Sequence, residues 1–198
     1  MGGTWTPHTP DWVAPSVSQI ADEHWLAYSM LMTTRLPWAA GVAAAVAWVR
    51  GGRVGPITYR DEQPVTRDLA DAECWAAAAA RDPFGTLPLN TIYTQLRVTP
   101  ADPKPGLDVN YSVGAWRALR WLLGIEDQDA PLPVPRRHDD GRVFTGDDVY
   151  AEITRGDDSH LSPERRQEIR QYASLQAAQY LHYDGQIRAV QQTLASVS

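Results

Sequence analysis

The sequence predicts a mainly α fold: a helical domain with two related helix-loop-helix units, one or two short strands and a long C-terminal helix. Three observations lead to this. Residues 41–51 and 114–124 share one pattern: Gly, three residues, Ala, Val or Leu, one residue, Trp, Val or Leu, one residue, Gly. In the last third, Ile169, Ala173, Ala177, Tyr180, Tyr183, Ile187, Val190, Leu194 and Val197 advance by three or four residues, a mean step of about 3.5 that suits a helix lying along another. Helix start and stop signals also recur at the right places, with Ser or Thr before apolar runs and Gly after them.

At 198 residues, 43% hydrophobic and 21% charged, the chain can bury a real core in one ordinary domain or two small ones. Its net charge of -6 argues against a phosphate-backbone binder, which needs clustered Lys and Arg. Cys74 is the sole cysteine, so no internal disulfide and no thiolate metal cage is expected. No apolar run reaches the length of a membrane span, and the first residues lack the order of a secretory signal. The expected location is cytoplasmic or virion.

In order along the chain, residues 1–15 read as an extended N-terminal arm rich in Pro, Thr and Trp. Residues 16–82 read as the first helical unit. Ser16 with Gln19 forms a capping box for a helix to about Arg35. Pro37 opens the first copy of the Trp helix, and Gly51-Gly52 ends it. Pro56-Ile-Thr-Tyr-Arg60 is β-prone, and Thr66 caps a third helix. Residues 83–110 read as a Pro-rich linker with a short edge strand, because Ile92, Leu96 and Val98 alternate with Tyr93, Gln95 and Arg97. Residues 111–198 read as the second helical unit with the long C-terminal helix. Ser112 caps the second Trp helix there, Gly124 ends it, and Pro131-Leu132 echoes Pro56-Ile57. Thr145-Gly-Asp147 echoes Thr66-Arg-Asp68 as the start of a matching helix. Ser162-Pro163 starts the last helix.

No phosphate loop, nucleophile elbow, zinc motif or dinucleotide fingerprint is present, so no catalytic residue and no cofactor is assigned. His138, Asp139, Asp140 and His160 supply nitrogen and oxygen donors of the kind a divalent metal takes. They have no diagnostic spacing, and Asp is wanted in turns and caps on its own account. Of the eight tryptophans, Trp25, Trp48, Trp75 and Trp121 fit core faces. Trp5, Trp12, Trp38 and Trp116 are expected to be partly exposed, and exposed Trp is favoured at protein interfaces.

The run of Gly, apolar helix, Trp-Val or Trp-Leu, Gly and a Pro-aliphatic step resembles short uncharacterised proteins of actinobacterial phages and mobile elements. The resemblance spans the two repeated units, and what it implies is a phage or prophage accessory or assembly protein. The expected activity is therefore non-enzymatic protein–protein interaction or assembly, with a protein partner or a homo-oligomer and with no membrane or nucleic acid. Two other readings accompany it: a metal-assisted hydrolase using the His and Asp loops, and an acidic inhibitor or regulator of a host protein.

Overall fold

A computed structural model describes residues 9–82, 84–85, 87–125 and 129–196. Among these, the regular elements are all helical: α1 (Val17–Thr34), α2 (Pro37–Val49), α3 (Arg67–Ala80), α4 (Leu89–Leu96), α5 (Val109–Leu123), α6 (Gly146–Thr154) and α7 (Pro163–Ala195). The contacts divide the chain into Met1–Leu132 and Pro133–Ser198. The division lies after α5, outside the 83–110 stretch, because α5 is the packing partner of α2.

The helix starts follow from local chemistry. Ser16 and Gln19 exchange the two hydrogen bonds of a capping box, and Pro37 occupies the first turn of α2. Thr66 caps α3, Thr145 with Asp148 boxes α6, and Ser162 before Pro163 starts α7. Gly124 ends α5 with φ 69°, a left-handed conformation that costs glycine little. Ser112, expected as a cap, is instead buried inside α5, where its hydroxyl donates to the Asp108 carbonyl. The cap is Asp108, whose carboxylate accepts from the Asn110 and Tyr111 amides.

Neither expected strand forms. Residues 91–98 enter α4, because Ile92 and Leu96 are as well spaced for a helix face as for a strand. Tyr93 lies between them in the sequence, is fully buried, and donates its hydroxyl to the Ala101 carbonyl at 2.8 Å. Around Pro56–Arg60 the amides of Ile57 and Thr58 donate to one carboxylate oxygen of Glu73, at 2.7 and 2.8 Å. A side chain takes the place of a neighbouring strand. One isolated antiparallel bridge, Arg137 to Val143, is present.

Within Met1–Leu132 the helices pack in the order α1, α2, α5, α3, with α4 against α3. The two Trp helices meet directly. A Cβ on Gly41 would collide with the Tyr111 carbonyl and come within 2.9 Å of the Ala115 nitrogen. A Cβ on Gly114 would collide with the Trp38 carbonyl. Trp38 precedes Gly41 by the same interval as Tyr111 precedes Gly114, so each helix contacts the other at equivalent positions. Trp48 and Trp121, also equivalent, are both buried.

The flanking helices correspond as well. Ser16, Glu23, Trp25 and Ala27 of the α1 region recur in register as Thr66, Glu73, Trp75 and Ala77 of the α3 region. Glu23 and Glu73 are both fully buried. Glu73 accepts from Ile57, after Pro56, and Glu23 accepts from Leu132, after Pro131. Each glutamate thus binds the Pro-aliphatic step of the other half, as an approximate two-fold axis between α2 and α5 requires. The partner of the Thr66-capped helix is therefore α1 and not the Thr145-capped α6, which packs on α7.

Residues 9–15 are tied to this body. The Trp12 indole donates to the Val65 carbonyl at 2.9 Å, the Ala14 amide to Leu122, and Arg67 to the Leu123 carbonyl. Trp5 lies outside the described residues. In Pro133–Ser198, α7 buries Ala173, Ala177, Asp184 and Ile187. Asp184 accepts from Arg137 and Arg188, each at 2.8 Å.

Candidate interaction surface

On α3 the small residues Ala72, Ala76 and Ala77 face inward. Trp75 is left pointing outward, 41% exposed, where a core position was expected. On α5, Ala115, Ala118 and Leu119 are buried, which turns Trp116 and Arg120 toward the same side. These two stand one turn apart, and their side chains meet. Arg81 closes the end of α3. Its guanidinium carbon lies 3.7 Å from the centroid of the Trp116 ring, and that of Arg120 lies 5.0 Å away. At these distances both cations are attracted by the negative face of the indole.

Trp75, Phe84, Val109, Val113 and Trp116 line a concavity of about 610 Å³ beside this stack. Phe84 is 85% exposed and Val109 55% exposed. Three large apolar side chains left in water around a held Trp are costly unless something covers them. Behind the surface, Cys74 is buried with its thiol directed at the Trp116 carbonyl at 4.0 Å. Burial first, and the Asp71 charge second, push the thiol up to about 12, so it stays protonated and inert.

The expected interface tryptophans separate into different roles. Trp116 is part of the surface, Trp12 is held on the body by Val65, and Trp38 is half-buried at the start of α2 where its carbonyl meets Gly114. Arg81 and Phe84 carried no sequence signal. The Trp116 to Arg120 spacing did carry one, since it is the interval that places an aromatic ring and a cation together on a helix.

The His and Asp candidates turn to other partners. His138 Nε2 lies 3.1 Å from Asp148, and its ring packs 4.6 Å from that of Phe144. Hydrogen bonds from Thr145, then from His138, hold Asp148 down to about 2. Asp140 pairs with Arg142 at 2.7 Å, whose hydrogen bonds hold its carboxyl below the usual range. Asp139 and His160 are exposed. Among the described residues no three His, Cys, Asp or Glu side chains gather as a metal site needs. Nor is any described helix long and apolar enough to cross a membrane.

Comparison with protein-family models, with curated proteins and with solved structures finds no match to this chain.

Proposed function

We propose that this chain is a non-enzymatic interaction or assembly protein that binds a protein partner through the Trp75, Phe84 and Trp116 surface. The observation that carries this reading is the exposed aromatic group around an indole held by two guanidiniums. Aromatic and arginine side chains of this kind supply most of the binding energy at protein interfaces. The Trp116 indole is already held by Arg81 and Arg120 in the free molecule, which lowers the entropic cost of association at that residue. The role as a phage or prophage accessory protein, in the cytoplasm or the virion, rests on the sequence resemblance.

A photo-crosslinking amino acid in place of Val109, on the rim of the concavity, tests the reading against one in place of Val17, which is 64% exposed on α1. In the source cell the Val109 position should give discrete protein adducts that Phe84→Ser removes, and the Val17 position should not. Equal labelling from both positions, or adducts indifferent to Phe84→Ser, would sink the assignment of this surface.

A further inference from the structure

We infer that this surface recognises an acidic peptide segment: a carboxylate held by Arg81, with a bulky apolar side chain beside it seated in the concavity. This rests on the interaction reading above and names the partner chemistry.

Arg81 sets the chemistry of the ligand. With its guanidinium carbon 3.7 Å from the Trp116 ring centroid, the group is held against the indole by one face. Its N–H donors lie in the plane of the guanidinium and so stay available at the edge. Among the described residues the Arg81 side chain has no carboxylate partner. A guanidinium stacked on an indole, its edge donors without a hydrogen-bond partner among the described residues, matches a carboxylate, which is planar, anionic and able to take two parallel hydrogen bonds.

The surroundings set the rest of the ligand. Trp75, Phe84, Val109 and Val113 offer an apolar wall next to Arg81, so the carboxylate must come attached to an apolar group. Among the described lining residues Asp82 is the one acid. The internal two-fold provides a control within the molecule. The positions equivalent to Arg81, Trp116 and Arg120 in the other half are Leu31, Ala43 and Ala47. The helix pairing is built there without an aromatic or a cation, so packing does not demand these three residues.

Peptide is favoured over nucleic acid by charge. The chain carries -6 overall, and a polyanion gains affinity from many clustered cations whereas one carboxylate needs a single well-placed pair.

The test is to pan a random dodecapeptide library against the full chain and against Arg81→Gln. Selected peptides are then titrated by fluorescence anisotropy beside versions with Asp and Glu changed to Asn and Gln, and beside a single-stranded oligonucleotide. The expected result is enrichment of Asp or Glu adjacent to Leu, Phe or Trp. Either Arg81→Gln or the amide peptide should weaken binding by about tenfold. Arg81→Lys, which keeps the charge and loses the planar fork, should recover only part of it.

Selection of neutral apolar peptides that ignore Arg81 overturns the carboxylate and leaves the interaction surface standing. Tighter binding of the oligonucleotide overturns the peptide. Absence of any enrichment overturns the inference, and absence of Val109 adducts as well removes the surface itself.

Discussion

Glu23 and Glu73 occupy equivalent places and are satisfied very differently. Glu73 accepts from the Ile57 and Thr58 amides and the Thr58 hydroxyl, and Arg60 Nε lies 3.3 Å away. Glu23 accepts from the Leu132 amide, and the following residue is Pro133, which has no N–H to offer. Burial therefore dominates, and it raises the Glu23 carboxyl well above its ordinary range, partly offset by the Leu132 hydrogen bond. A carboxyl raised in the folded state favours folding most below its unfolded value, and that advantage is lost as pH rises through the folded one. Glu23→Gln keeps an acceptor for Leu132 and cannot ionise. Its stability relative to the parent should therefore rise as pH increases above the ordinary glutamate range, read by urea denaturation of the full chain at each pH. A difference that stays constant with pH would show that Glu23 does not titrate as described. His24 works in the opposite sense: burial, then the Arg50 charge, lowers it to about 4. Its contribution is present at neutral pH and is lost as pH falls from about 6.5 toward about 4, so the substitution at Glu23 is best read above that window.

Among the elements, the α2–α5 pair depends most on single atoms. Gly41→Ala places a methyl group against the Tyr111 carbonyl, and Gly114→Ala places one against Trp38. Both obstacles are backbone, which cannot swing aside. Each change should destabilise by about 3 kcal/mol, far more than the helix propensity that alanine adds. The double substitution should cost less than the sum, because one separation of the helices relieves both. Urea midpoints of the three variants measure this, and near-neutral single substitutions would contradict the close approach. Gly185 in α7 is the reverse case. A Cβ there meets nothing within 4 Å, so Gly185→Ala should stabilise α7 by about 0.5–1 kcal/mol through the unfolded chain. Slower amide exchange across α7, and not in α2, is the expected readout. The α7 helix of 33 residues spans roughly 50 Å and packs on the far shorter α6, so its own propensity matters more than that of a buried helix.

At the scale of the whole molecule, what could be read from the residues was what neighbouring residues settle among themselves. A cap bonds across one turn, so Ser16, Thr66, Thr145 and Ser162 marked four helix starts correctly. The Trp48 and Trp121 equivalence was legible too, because a repeated apolar helix has the same inward face in both copies. The other half of the repeat is not legible in the same way. Thr66 and Asp68 have a nearer likeness in Thr145 and Asp147, yet the structural counterpart of α3 is α1, tied to it by buried Glu23 and Glu73. Only the pairing of helices decides that.

The candidate surface divides along the same line. Its aromatic content is visible as a surplus of tryptophan, Trp116 included. No local signal turns Trp75 and Arg81 outward, because their directions depend on which face of α3 meets α5. The chain by itself determined that it would be helical, where most helices begin, and which two tryptophans are central; these follow from interactions within a few residues. Tertiary structure decided the rest. Glu73 captured the amides that would have made Pro56–Arg60 a strand, and Tyr93, buried with its hydroxyl on Ala101, belongs to a helix where alternation had suggested an edge. Close packing at Gly41 and Gly114 turned two similar segments into one reciprocal pair. Contacts between residues distant in sequence outweighed local preference wherever a buried polar group needed a partner or two backbones had to touch.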